Sequence, residues 1–164
     1  MDNYSPEIMQ KCIEHARTTM ARGQGGPFGA AVVKDGHVIV ITSNSVLADN
    51  DPTAHAEINA IREACKALDT YDLSGCELYA TGSPCSMCLS AIIWANIKKV
   101  YIGGEVKDAE AIGFRDRFIY EFLENSHNGF GTDDVVDLIL CGELSGRAVR
   151  AMYEEYAAQN NIIY

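Results

Sequence analysis

Two short stretches, AHAE at residues 54–57 and PCSMC at 84–88, restrict this chain more than any other feature. Each precedes an apolar run with helical spacing, so each marks a helix start. Between them they carry an imidazole, a carboxylate and two thiols. A fold that brings the two helix starts together creates a reactive centre. A fold that keeps them apart leaves two thiols three positions apart with no evident use.

The chain has 164 residues, the length of one domain with its own core. We expect a single domain over 1–164, with a C-terminal helix and tail at 143–164 able to exchange between subunits. Apolar residues make up 48% and charged residues 22%, the balance of a globular protein. The longest apolar stretch, SAIIWANI, is far shorter than a membrane span. The start, MDNYSPEIMQK, lacks the basic-then-apolar order of a secretory signal. These features place the protein in the cytoplasm, where cysteines stay reduced. The net charge is −10, and KK at 98–99 is the densest basic run. That charge opposes a long polynucleotide, whose phosphates call for a basic face. A small, weakly charged molecule suits it better.

Ser5-Pro6-Glu7 reads as a helix cap with proline at the first helical position. Ile8, Met9, Cys12, Ile13, Ala16 and Met20 then recur at helical spacing up to RGQGG. FGAAVVK and HVIVITSN read as strands joined by Asp35-Gly36, a hairpin turn. Asp51 or Thr53 caps the next helix, whose stripe is Ile58, Ile61, Cys65 and Leu68. CELYAT is a strand, Pro84 starts a helix to about Asn96, and KKVYIGG is a strand. Residues 108–125 are partly helical, VVDLILCG is a strand, and LSGRAVRAMYEEYAAQ closes the chain as a helix. This alternation predicts an α/β three-layer sandwich. Its central mixed, mainly parallel sheet has about five strands, flanked by helices.

Cys85 and Cys88 lie at i and i+3 in a first helical turn, where the positive helix end favours thiolates. With His55 they make a good zinc donor set. Three protein ligands leave one position for water, whose pKa the metal lowers. Glu57, two residues from His55, faces another way and is free to move that water's proton. Two thiolates cancel the charge of the ion, which weakens its pull on water and makes the carboxylate more necessary. Two other readings stand beside this one. The CxxC pair can be a redox couple. The zinc can be closed and structural, with a fourth ligand from Cys65, Cys76, His15, His37 or His127.

Nearly the whole chain resembles the cytidine-deaminase-like superfamily, and within it the guanine and guanosine deaminases of bacteria and plants. The segments that carry the resemblance are GGPFGAAVVKDG, DPTAHAEINAIREACK, PCSMCLSAIIWA and IGFRDRFIYEF. The resemblance implies one zinc per subunit on His55, Cys85 and Cys88, with Glu57 as proton shuttle and Asp116 as a second catalytic carboxylate. It implies substrate contacts from Phe28, Asn44, the Ala56 backbone, Trp94 and Tyr164, and a homodimer. The reaction implied is hydrolysis of guanine to xanthine and ammonia. Guanosine, cytosine and a triazine are the alternative substrates, and a non-catalytic zinc-bearing binding module is the alternative of a different class. Ser83 and Gly82 stand where the family commonly has Glu and Cys.

Overall fold

The computed structural model describes residues 4–125 and 142–159. The chain divides into two compact units, one ending at Arg115 and the other opening at Asp116. The first unit runs α1 (Pro6–Ala21), β1 (Gly29–Lys34), β2 (His37–Ser43), α2 (Val46–Asp49), α3 (Ala56–Leu68), β3 (Cys76–Ala80), α4 (Ser86–Trp94), β4 (Lys99–Ile102) and α5 (Val106–Ala111). The second contains α6 (Arg117–Asn125) and α7 (Gly142–Ala158). The strand expected at 135–142 lies outside the described residues, apart from Gly142, which begins α7.

The described sheet has four strands in the order β2-β1-β3-β4. Its sandwich architecture and mixed character are those expected. Its directions differ from the expectation of a mainly parallel sheet: β1 pairs antiparallel with both β2 and β3, and only β3 and β4 run parallel. The cause is the tight turn at Asp35-Gly36. Both residues have positive φ, 50° and 77°, the geometry whose twist suits a two-residue hairpin. The hairpin fixes one antiparallel pair. The long connection through α3 then returns the chain to the other edge of β1. Among the described residues, only the β3–α4–β4 passage is a crossover that yields a parallel pair.

Strand β1 is buried on both faces, and the two-residue period of the strand separates two cores. Ala30 and Val32 join Leu78, Ala80, Ala56, Ala60, Ala64 and Ile92 under α3 and α4. Ala31 and Val33 join Tyr79 and the α1 residues Ile8, Met9 and Cys12 on the opposite face. Fully burying a side chain such as Leu78 contributes about 1.5–3 kcal/mol relative to leaving it in water. The buried Tyr79 is not left with an unpaired hydroxyl: its oxygen accepts from the Ser5 amide at 2.9 Å, tying down the start of α1. Ser5 is the N-cap residue as expected, but its hydroxyl donates to the Glu7 carboxylate at 2.7 Å rather than capping the backbone. Met20, counted in the apolar stripe from its spacing, is exposed.

This topology brings distant segments together. Because β2 and β3 both run antiparallel to β1, their C-terminal ends lie beside the start of β1. Ser43 pairs with Gly29, and Ala80 pairs with Ala30. The segment from Asn44 to His55 and the segment from Thr81 to Cys85 therefore leave the same end of the sheet. Phe28 enters β1 there.

Gly29 is the tightest point of this junction. A Cβ there would collide with the Cys12 carbonyl oxygen and lie 3.3 Å from Ala16 Cβ, so α1 sits closer than any side chain allows. We expect Gly29→Ala to cost about 1–3 kcal/mol of folding stability as α1 is forced outward. Urea denaturation should show the midpoint falling with little change in slope.

Candidate active site

Helices α3 and α4 present their N-termini to one crevice. The residues that carry the chemistry sit at the caps, one step earlier than their spacing suggests. Helix α3 starts at Ala56 with His55 as N-cap. Asp51 and Thr53 do not cap it: Asp51 Oδ1 accepts from the Thr53 amide at 2.8 Å and hydroxyl at 2.7 Å, forming a turn ahead of the helix. Helix α4 starts at Ser86 with Cys85 as N-cap, so Pro84 lies outside it. An extended cap residue aims its side chain back across the helix end, and this turns both His55 and Cys85 into the crevice.

His55 Nδ1 lies 3.6 Å from Cys85 Sγ and 3.5 Å from Cys88 Sγ. The three ligand atoms fall within 4.8 Å of one another. A tetrahedral zinc with its usual Zn–N and Zn–S bonds sets nitrogen and sulfur about 3.6 Å apart. The donor set and its spacing therefore fit zinc, with Nδ1 as the ligating nitrogen. Among the described residues no fourth His, Cys, Asp or Glu joins the group. Cys65, Cys76, His15 and His37 do not belong to it, and His127 lies outside the described residues. Cys85 and Cys88 are free thiols rather than a disulfide. Among the described residues the geometry therefore offers no fourth ligand for a closed site.

Electrostatics at the two thiols are opposite. The Cys88 thiol donates to Cys85, and with help from His55 it holds the Cys85 thiol down at about 4. The same hydrogen bond, burial and the Glu57 charge push the Cys88 thiol up. The pair thus favours the thiolate at Cys85 over Cys88. His55 is raised above its ordinary value, chiefly by its bond to Cys85.

Glu57 is only 8% exposed and lies in the first turn of α3. Burial pushes its carboxyl above the usual carboxylate range, with the nearby Cys85 charge adding to the shift. It does not join the ligand group. A carboxyl so placed sits against the ligands, keeps a proton more readily than a surface acid, and can pass it on.

The structure also gathers Phe28, Asn44 and Ala56 around this end of the sheet. Phe28 is flanked by Gly26 and Gly82, where added Cβ atoms would lie 3.2 and 3.4 Å from its ring. Phe114 meets Phe28 edge-on with centroids 5.0 Å apart. Composition and spacing did not single out Phe114; its place in GFRDRF was the available signal. Asn44 is buried, and its Oδ1 accepts from the Gly26 amide at 3.0 Å and the Val46 amide at 3.3 Å. Its acceptor is thus spent on the backbone, and no described partner takes its Nδ2 protons. No buried side-chain nitrogen or oxygen among the described residues lacks a partner, so Nδ2 reaches accessible space. The carbonyl of Ala56 accepts from Thr42 Oγ1 at 2.8 Å.

Trp94 stands away from the ligand-bearing end of its helix. It ends α4, a helix whose opposite end holds Cys85, and it is 71% exposed beside Ile93 and Leu89. Eight residues of helical rise carry it about 12 Å along the axis from the ligand end. Asp116 is half-buried and opens the second unit. Tyr164 lies outside the described residues.

Comparison with known proteins places this arrangement. A family model for the cytidine and deoxycytidylate deaminase zinc-binding region matches residues 3–104. The chain is similar to guanine deaminase from Bacillus subtilis, 53% identical over 117 residues, covering 71% of this chain and 75% of that protein. It is also similar to a tRNA-specific adenosine deaminase from Aquifex aeolicus, 45% identical over 93 residues, covering 57% and 61%. The crystal structure of the Bacillus subtilis guanine deaminase superposes with a TM-score of 0.81 at 36% identity, covering 98% of each chain.

Metal uptake must displace the proton on Cys88, so affinity falls as pH falls. Competition with a chromophoric chelator should show tighter zinc binding at pH 8 than at pH 6. Cys88→Ser should reduce the bound zinc well below one ion per chain, measured by elemental analysis, at either pH.

Proposed function

The chain belongs to the cytidine and deoxycytidylate deaminase zinc-binding family, and from that premise we propose that it is a zinc-dependent hydrolase that deaminates guanine to xanthine. The observation that carries this reading is the triangle of His55 Nδ1 with two cysteine sulfurs, joined by no fourth described ligand and flanked by a buried carboxyl. Zinc, when bound, acidifies a water molecule and so supplies the nucleophile at neutral pH. His55, Cys85 and Cys88 hold it.

Glu57 has the part that the chemistry leaves to the protein. Its carboxylate takes a proton from the attacking water and hands it to the ring nitrogen next to the amine-bearing carbon. The C–N bond to the amine then breaks, and the protonated amine leaves as ammonia while a carbonyl forms at the same carbon. Water in and ammonia out balance the reaction. The raised pKa of Glu57 suits both halves of this transfer. Asp116 we assign to the second proton transfer, on the match of GFRDRF to the guanine-type branch. Phe28 is the aromatic wall for a flat ring, and the Asn44 Nδ2 donates to a ring acceptor. We keep the Ala56 backbone, Trp94 and Tyr164 as proposed contacts on the resemblance alone.

The binding-module reading gives no role to Glu57, a costly acid to bury beside two sulfurs. The tRNA-specific relative raises a polynucleotide substrate, but a net charge of −10 opposes it. Guanosine, cytosine and a triazine stay within reach of the same chemistry, and a substrate panel separates them. Leu89, Ile93 and Trp94 form an exposed apolar face on α4 that supports the proposed homodimer. No described helix is long and apolar enough to cross a membrane. A cytoplasmic setting stays proposed on the sequence pattern alone.

Glu57→Gln keeps the shape of the side chain and cannot shuttle the proton. Ammonia release from guanine should fall by about 10²–10⁴-fold, with zinc content near one per chain. Equal activity in the two proteins would remove the mechanism.

A further inference from the structure

We propose that Asn59 is a positioning residue that sets where the Asn44 amide stands relative to His55, and so governs how tightly the nucleobase is held. The inference rests on the reading of Asn44 as a substrate contact and deepens it.

Asn59 lies on α3, one turn beyond His55, and its amide donates to the His55 carbonyl at 2.9 Å as the helix requires. Its side chain leaves the helix. Nδ2 lies 3.0 Å from the Ser43 carbonyl, 2.9 Å from Ser45 Oγ and 3.4 Å from the Ala54 carbonyl. An amide carries two protons, so the two short contacts are full bonds and the third is a weaker share. Ser45 Oγ is free to accept because its own proton goes to Asp49 at 2.6 Å.

These acceptors are the chain neighbours of both key residues. Ser43 and Ser45 flank Asn44, and Ala54 precedes His55. One side chain thus grips Asn44 from both sides and touches the step before the ligand. The backbone adds a strut, with the Ser45 amide donating to the Ala54 carbonyl at 3.0 Å. On the far side, Asn44 Oδ1 is held by the Gly26 amide at 3.0 Å. The Asn44 amide donates to the Phe28 carbonyl at 2.9 Å and its Oδ1 accepts from Gly26 and Val46, so Asn59 acts on it through its two chain neighbours, and Nδ2 is left to face outward. His55 itself is held by the helix cap and the two sulfurs, so removing Asn59 moves Asn44 and spares the metal. Thr42 Oγ1, which bonds the Ala56 carbonyl, does not span Asn44 and cannot replace this grip.

A double-mutant cycle tests this. Zinc content and the dissociation constant for the product, xanthine, are measured for wild type, Asn44→Ala, Asn59→Ala and the double variant. Asn59→Ala should weaken xanthine binding about tenfold, and less than about threefold once Asn44 is alanine, because coupled residues do not add. Zinc should stay near one per chain, and guanine turnover should show a raised KM more than a lowered kcat. Equal factors in the two backgrounds, or loss of zinc in Asn59→Ala, would overturn the proposal. Ser45→Ala removes one acceptor from a partly exposed site and is the milder variant should Asn59→Ala not fold. Its loss of binding must likewise depend on Asn44; a loss independent of Asn44 overturns the proposal. Guanine turnover by the wild type tests the functional reading separately. If another aminated heterocycle is the substrate, the cycle is run with its product.

Discussion

Everything in this protein depends on one nitrogen lying as far from two sulfurs at the start of another helix as ligands of one zinc lie from each other. That spacing, 3.5 and 3.6 Å, is costly to create without an ion. Two thiols and an imidazole at one point repel when all are in their ligating states. The hydrogen bond between the thiols eases the conflict by pushing the Cys85 thiol down and the Cys88 thiol up. The converging positive ends of α3 and α4 make the thiolate tolerable. A divalent cation then resolves the conflict, because it replaces a shared proton with a shared positive charge.

Holding two helix ends in one place is a task for the sheet. Strand β1 is paired on both sides, so β2 and β3 are bound to finish at the same edge. Gly29 lets α1 close over that edge, and Tyr79 locks the start of α1 from below. The antiparallel pairs flanking β1 therefore have a functional consequence. A fully parallel arrangement would need a crossover for each neighbour of β1 and would not bring these two loop ends together in so short a chain.

Some of the site was legible in advance, and the reasons differ residue by residue. His55, Glu57, Cys85 and Cys88 were readable because metal ligation and proton transfer require particular atoms, and few residue types supply them. Asn59 was not, because an asparagine inside a helical stretch has no signature until its acceptors are in view. Where Trp94 stands was equally hidden: it follows the cysteine motif closely in sequence, but 1.5 Å of rise per residue carries it to the other end of α4. The caps were missed because Pro84, one residue ahead of the α4 cap, and Thr53 and Asp51, two and four ahead of the α3 cap, all fit helix-start rules. Sterics and the turn at Thr53 then decided the matter.

By itself the sequence determined the local chemistry: which atoms could bind a metal, which acid could carry a proton, where the hairpin had to turn, and that helices would alternate with strands. Those properties belong to side-chain type and to periods of two and 3.6 residues, which are short-range. Only the tertiary structure decided that Nδ1 faces the sulfurs, that β1 runs antiparallel to both neighbours, and that Asn44 spends its acceptor on Gly26 and keeps its donor. These follow from pairing between segments separated by tens of residues, where loop closure and close packing choose among arrangements that local preference leaves equal.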